Sequence, residues 1–253
     1  MSAMFMLPFD AAQLAIIWLG VTLAYVVFGI AGFGTALIAA PLLAQFMPLS
    51  RIVPLLALLD FSAAALNLLR EGRRAQLAEL RRIVPAMLVG SALGALLLLI
   101  ARPDTLLLLL GIFVVAYAAY ALSGYRPARR FRASLAWAFG TVGGVFSAMF
   151  GSGGFIYAIF LAGRLDDKTQ IRATQSTLIG LSTLTRLLLF AGAGVYADAA
   201  LLRLAGLLLP AMLIGVWLGR HITLRLSREQ FVRLVNVLVL FSGVAVLVRY
   251  FST

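Results

Sequence analysis

The chain alternates long apolar runs with short segments that hold most of its charges, prolines and glycines. The runs are continuous and rich in leucine and alanine, which favours helices over the alternating strands of a membrane barrel. Most of them approach the ~20 residues that a helix needs to cross a bilayer. The pattern predicts helices at 11–31, 35–48, 52–70, 83–101 and 105–123 in the first half, and at 134–150, 154–164, 172–194, 201–219 and 230–251 in the second.

Two halves of the chain repeat one another. The decapeptides Pro85–Gly94 and Pro210–Gly219 are identical at seven of their ten positions, and each opens the predicted fourth helix of its half. A duplicated half in a very hydrophobic chain is typical of membrane transporters. We therefore predict a first repeat at 1–123, a connector at 124–133 and a second repeat at 134–253. The short amphipathic piece 76–82 is predicted to lie at the membrane interface.

The loop charges indicate that the second repeat is inverted relative to the first. The loop after the third helix carries five arginines at 70–82 in the first half, whereas its counterpart at 195–200 carries only Asp198. The loops after the fourth helix show the opposite charge bias. The charges cancel at 102–104 in the first half, whereas arginines accumulate at 220–229 in the second. Placing the arginine-rich loops and the connector in the cytoplasm puts both termini on the outer side.

Glycine clusters precede the two helices that are too short to span a ~30 Å hydrocarbon core unaided. Gly32 and Gly34 come before the first of these helices, and Gly151, Gly153 and Gly154 before the second. Exposed backbone at membrane depth is tolerated where it is buried in protein or lines a wet cavity, and a helix that begins there offers free N–H groups to an anion. The alternative interpretation is that these glycines only let neighbouring helices pack closely.

Polar residues at the start of the predicted helix 172–194 form a second candidate group. Thr174, Gln175, Ser176 and Thr177 follow one another there, and four consecutive polar side chains exceed what capping requires. Hydroxyl and amide donors near a helix N-terminus suit oxyanion binding as well as capping. We predict that these four residues contact a substrate.

Asp60 and Arg186 are the two charges deepest in apolar runs. A charge inside a membrane helix is costly and is a functional candidate for that reason. The two could pair with one another, which would be a structural role. Alternatively, Asp60 could carry a proton and Arg186 could attract an anion.

Composition narrows the function classes. Hydrophobic residues make up 63% of the chain and charged residues only 12%, which a soluble domain does not match. The net charge of +12 lies largely in short loops, where it orients the helices rather than binding nucleic acid. The chain has no cysteine and one histidine, and it lacks a soluble catalytic domain. We therefore expect no enzymatic activity, no cofactor and no metal site.

The motifs resemble those of the TauE/SafE family of sulfite exporters. The resemblance lies in the Gly29-x-x-Gly32-x-Gly34 stretch followed by Pro41, the second glycine motif ahead of 172–176, and the arginine-rich connector. It implies a multi-pass protein of the bacterial inner membrane that exports sulfite or another small inorganic or organosulfur anion. The sequence does not specify the oligomeric state.

Together these features predict an all-helical transporter with two inverted repeats and short broken helices after the glycine motifs. Its substrate-binding residues are predicted to be Gly32, Gly34, Gly151, Gly153, Gly154, Thr174, Gln175, Ser176, Thr177 and Arg186, with Asp60 as the candidate for proton coupling. Such a protein would work by alternating access. A passive anion channel with the same polar lining is the alternative.

Overall fold

A computed structural model describes residues 9–31, 34–71, 75–124, 131–221 and 228–252, and these form ten α-helices without a strand. The helices of the first half are α1 (Ala11–Ala31), α2 (Thr35–Leu43), α3 (Leu49–Glu71), α4 (Leu77–Ile100) and α5 (Pro103–Leu122). Those of the second half are α6 (Leu135–Phe150), α7 (Gly154–Ala162), α8 (Lys168–Gly192), α9 (Ala199–His221) and α10 (Arg228–Ser252). The predicted all-helical fold with five segments per half is confirmed.

Five of the described helices are long and apolar enough to cross a membrane, namely α1, α4, α5, α9 and α10. Their outward faces carry large apolar side chains such as Leu93 on α4, Trp217 on α9 and Phe241 on α10, which are about half exposed or more. In water such a surface would aggregate, whereas in a bilayer it faces lipid. The protein is therefore a polytopic membrane protein.

The helices pair mainly across the two halves. Helix α1 packs most extensively against α9, and α4 against α6, so the first helix of each half lies on the fourth helix of the other. The third helices, α3 and α8, pack on each other, as do the fifth helices, α5 and α10. Exchanging the two halves leaves this set of pairs unchanged, as expected for repeats related by a two-fold axis.

The repeated decapeptides supply the glycines of these cross-half contacts. A Cβ added at any of four decapeptide glycines would collide with a backbone carbonyl oxygen of the partner helix. The collisions are Gly90 with Thr141, Gly94 with Val145, Gly215 with Thr22, and Gly219 with Val26. Glycine spaced at four residues lets two membrane helices approach closely, so the repeat serves helix packing.

The prediction that the decapeptides open the fourth helices is wrong. Pro85 lies inside α4, which begins at Leu77, and Pro210 lies inside α9, which begins at Ala199. The amphipathic segment predicted at 76–82 is continuous with α4, since Gln76 is the N-cap of that helix and Leu77 its first residue. Glu79, in the first turn, is buried against Arg164.

Ionic and hydrogen-bonded contacts mark one face of the helix bundle, which we call the Arg51 face. Arg51, near the start of α3, forms a 3.1 Å salt bridge with Asp198, which follows α8. The guanidinium of Arg249, near the end of α10, donates a 2.9 Å hydrogen bond to the carbonyl oxygen of Ala44. Phe9, which precedes α1, lies beside Arg51 and Asp198. Both ends of the described chain are therefore on this face.

The opposite face, which we call the Glu79 face, carries its own ionic cluster. Glu79 Oε1 accepts hydrogen bonds from Arg164 Nη2 at 2.8 Å and Arg82 Nη1 at 2.7 Å. Arg164 precedes α8 and also donates to the carbonyl oxygen of Phe131 at 3.1 Å. Helix α8 thus starts at the Glu79 face, whereas α3 starts at the Arg51 face. The paired third helices run antiparallel.

Two glycines of α9 allow the packing role of the decapeptide to be tested. We expect Gly219→Ala to lower the melting temperature in detergent, because overpacking a helix contact costs about 1–3 kcal/mol. Gly206→Ala is the matched control, since a Cβ there meets nothing within 4 Å and the helix gains propensity. Equal melting temperatures for the two variants would contradict the packing role.

The two faces also predict a membrane orientation, because the arginine-rich loops at the Glu79 face should be cytoplasmic. The chain has no cysteine, so a single introduced thiol is unique. We expect an impermeant thiol reagent to label Asp104→Cys, at the start of α5, in right-side-out vesicles. Ser123→Cys, at the other end of α5, should react only in inverted vesicles. The reverse labelling pattern would invert the assignment.

Candidate functional site

The two glycine motifs meet at the centre of the bundle. Gly34, before α2, and Gly151, after α6, both have a left-handed backbone, with φ of +96° and +71°. Residues with a side chain rarely adopt this conformation, so glycine is what allows each chain to turn there. A Cβ on Gly151 would lie 2.7 Å from the Cβ of Ala36, in the first turn of α2. The two breaks are therefore in direct contact.

A cavity of about 50 Å³ lies at this meeting point, with room for a few water-sized groups. It is lined by residues of both breaks and of the helices around them: Phe28, Gly34, Thr35, Leu37, Asp60, Ser147, Gly151, Ser152, Gly153, Gly154, Phe155, Tyr157, Ile179, Ser182, Thr183 and Arg186. The volume fits a small ion rather than a bulky organic molecule.

Two helices begin at the cavity wall. The first residues of α2 and of α7, including Thr35 and Gly154, are among the lining residues. The first N–H groups of a helix have no acceptor within the helix, and the helix dipole places about half a positive charge at its start. Both breaks thus direct positive electrostatic potential at the same small space.

Asp60 and Arg186 form an ion pair across the cavity. Arg186 Nη2 lies 3.3 Å from Asp60 Oδ2, and the two side chains join α3 to α8. Asp60 Oδ1 accepts hydrogen bonds from the hydroxyls of Tyr25 at 2.8 Å and Thr35 at 2.9 Å. The carboxylate is thereby connected to α1, α2 and α8 at once. The pairing that the sequence left open is present.

The guanidinium group of Arg186 makes fewer hydrogen bonds than its donors allow. Its Nη2 also donates to Thr183 Oγ1 at 3.1 Å, but its Nε and Nη1 have no hydrogen-bond partner among the described residues. The side chain is only 2% exposed. An unsatisfied buried donor costs about 1–3 kcal/mol, and more when it is charged. A negative ligand in the cavity would give a charged partner to an Arg186 donor that now lacks one.

Hydroxyl groups surround the rest of the cavity. Ser147 and Ser182 share a 2.6 Å hydrogen bond, and the buried Tyr157 hydroxyl has no partner among the described residues. Two other lining residues have a weak signal in the sequence, since Ser152 lies within the second glycine motif and Thr35 directly follows the first. Nothing in the sequence distinguishes Tyr25 or Tyr157 from an aromatic packing residue.

The structure brings together six of the predicted site residues, and these are Gly34, Asp60, Gly151, Gly153, Gly154 and Arg186. Gly32 falls outside the described residues. Gly153 also serves packing, since a Cβ there would collide with the carbonyl oxygen of Gly143 on α6.

The four polar residues 174–177 do not line the cavity. Thr174 Oγ1 accepts a 2.9 Å hydrogen bond from the Gln76 backbone, and Thr177 donates to the Ala173 carbonyl. Ser176 is exposed, while Gln175 Nε2 reaches the Gly154 carbonyl at 3.3 Å, next to the cavity. Helix α8 begins at Lys168, four residues before the predicted start, so these residues lie past its first turn and are not at its N-terminus.

The family model of the sulfite exporter TauE/SafE family matches residues 17–246, which is nearly the whole chain and includes every element of the cavity. The protein belongs to the TauE/SafE family. Comparisons with curated proteins and with solved structures give no match. Membership confirms the resemblance seen in the sequence and places this TauE/SafE protein among membrane transporters of sulfite and related anions.

Removing one partner of the ion pair should leave an uncompensated buried charge. We expect Asp60→Asn and Arg186→Gln each to lower stability by about 3–5 kcal/mol, whereas the double variant should lose less than the sum. Thermal unfolding in detergent measures the three variants, and the exposed Asp104→Asn serves as a control that should change little. Additive losses would contradict the coupling.

Proposed function

We propose that this TauE/SafE protein exports a small sulfur-containing anion, of the sulfite or sulfonate type, through the cavity between its glycine breaks. The observation that carries the proposal is the buried Arg186 at the wall of that cavity, because its Nε and Nη1 lack hydrogen-bond partners among the described residues. Arginine presents a planar fork of donors that matches an oxyanion. The ligand class that completes this site is a small oxyanion.

In the proposed binding mode, Arg186 holds the anion together with the backbone N–H groups at the starts of α2 and α7. Gly34, Gly151, Gly153 and Gly154 let the backbone approach the ion closely. The Ser147–Ser182 pair and the Tyr157 hydroxyl can donate further hydrogen bonds. These groups offer a small oxyanion hydrogen-bond donors from several elements around the cavity.

Asp60 is the proposed group for proton coupling. Among the described residues, Asp60 is the one that contributes a carboxyl group to the cavity lining. Its ion pair with Arg186 means that any bound anion would interact with the same guanidinium group. A proton on Asp60 would weaken the ion pair and so change how strongly Arg186 binds the anion. Anion binding and proton binding would thus be linked through one guanidinium group.

Alternating access between the repeats is the proposed mechanism. The cavity lies between α3 and α8, which belong to different halves and run antiparallel. The Glu79 cluster ties the start of α4 to the segment after α7, and the Arg51–Asp198 bridge ties α3 to the segment after α8. Opening either face requires the contacts on that face to separate. We place the protein in the bacterial inner membrane with repeats at 1–123 and 134–253.

Arg186→Lys tests this function directly. The change keeps the charge beside Asp60 but removes the fork of donors, so we expect sulfite efflux from proteoliposomes to fall by about tenfold or more. The matched control is Arg102→Lys, which alters an exposed arginine outside the cavity and outside both face contacts and should retain efflux. Both variants should first be checked for folding by size-exclusion chromatography.

Two results would contradict the proposal. Unchanged efflux in Arg186→Lys would remove this residue from the binding site, and failure of every small anion to move would exclude anion transport. Flux that does not saturate and ignores a pH gradient would indicate a passive channel instead.

A further inference from the structure

The fixed charges around the cavity limit the charge of its ligand. Among the described lining residues, Asp60 and Arg186 are the charged ones, and their charges cancel. In the sequence, the two residues before Gly34 are glycine and phenylalanine, neither of which carries a charge. We infer that the cavity accommodates one net negative charge and selects monoanions over dianions. This inference rests on the anion transport proposed above.

The positive potential that remains comes from the two helix starts. Helices α2 and α7 each have nine residues, and both begin at the cavity. Each start contributes about half a positive charge, so the two together offset about one negative charge. Arg186, whose Nε and Nη1 have no partner among the described residues, lines the same cavity. A monoanion therefore neutralises the positive potential of the two helix starts, whereas a dianion leaves one negative charge uncompensated.

Burial makes the surplus charge costly. Asp60 is 7% exposed and Arg186 is 2% exposed, so water screens neither of them effectively. A ligand that contacts Arg186 lies close to the Asp60 carboxylate, because the two side chains are 3.3 Å apart. The second charge of a dianion would be repelled by Asp60 without gaining a new partner. Among the described residues, the other titratable groups near the ion pair are the phenols of Tyr157, on α7, Tyr25, on α1, and Tyr196, after α8, which add no positive charge.

The favoured chemical class is therefore a small tetrahedral or pyramidal monoanion. Hydrogensulfite and short alkanesulfonates belong to this class, whereas sulfate and fully deprotonated sulfite do not. The cavity volume of about 50 Å³ gives room for only a few heavy atoms, which favours the smallest members. Asp60 then acts as a selectivity residue, because its charge sets how much positive potential is left for the ligand.

Competition between methanesulfonate and sulfate tests the inference. The two ions have nearly the same shape, since a methyl group replaces one oxygen, but they differ by one charge. With sulfite efflux measured in proteoliposomes at equal pH on both sides, we expect methanesulfonate to compete at least about tenfold more strongly than sulfate. Equal or stronger competition by sulfate would overturn the inference while leaving transport intact. Absence of any sulfite efflux would instead refute the proposed function.

Two substitutions at one position assign the preference to Asp60. Asp60→Asn removes a negative charge, so we expect the preference to shift about tenfold toward sulfate. Asp60→Glu keeps the charge and should keep the preference for methanesulfonate. An unchanged preference in a folded Asp60→Asn protein would overturn the role of Asp60. If that variant does not fold, the comparison on the unmodified protein decides the inference alone.

Discussion

The ion pair between Asp60 and Arg186 is the interaction on which the central architecture depends. Neither charge is tolerable alone at this depth, because an unpaired buried charge has no water to stabilise it. The pair joins the third helices of the two halves, and the carboxylate also binds the hydroxyls of Tyr25 and Thr35. The short helix α2 is thereby tied to the cavity at its first residue. The polar centre thus determines how α1, α2, α3 and α8 meet.

Around this centre, two sets of glycines have different roles: one set packs helices together, and the other turns the chain at the cavity. The decapeptide glycines bring α4 onto α6 and α9 onto α1, where their partners are carbonyl oxygens of the neighbouring helix. The break glycines Gly34 and Gly151 instead have a left-handed backbone and turn the chain at the cavity. Gly153 combines the two roles, since it lines the cavity and packs against the carbonyl oxygen of Gly143. One residue type therefore builds both the tight scaffold and the open site.

Much of the fold could be predicted because lipid imposes simple rules on sequence. Long apolar runs must be helices, and a charge inside one of them, such as Asp60 or Arg186, is too costly to be incidental. The role of residues 174–177 could not be predicted, because it depends on which distant segment each side chain meets. Thr174, for example, is occupied by the backbone of Gln76. Placing the decapeptides at helix openings was wrong because Pro85 and Pro210 lie inside α4 and α9, where neighbouring helices can compensate for a proline.

The cross-half pairing has a consequence for how the chain is made. When the first half leaves the ribosome, α1 and α4 present grooves whose partners, α9 and α6, have not yet been synthesised. Gly90 and Gly94 then face lipid until α6 is inserted beside them. The first half on its own lacks the helices that cover it, so its assembly must wait for the second. The two halves are not interchangeable in this assembly, because the first supplies Asp60 and the second supplies Arg186 to the central ion pair.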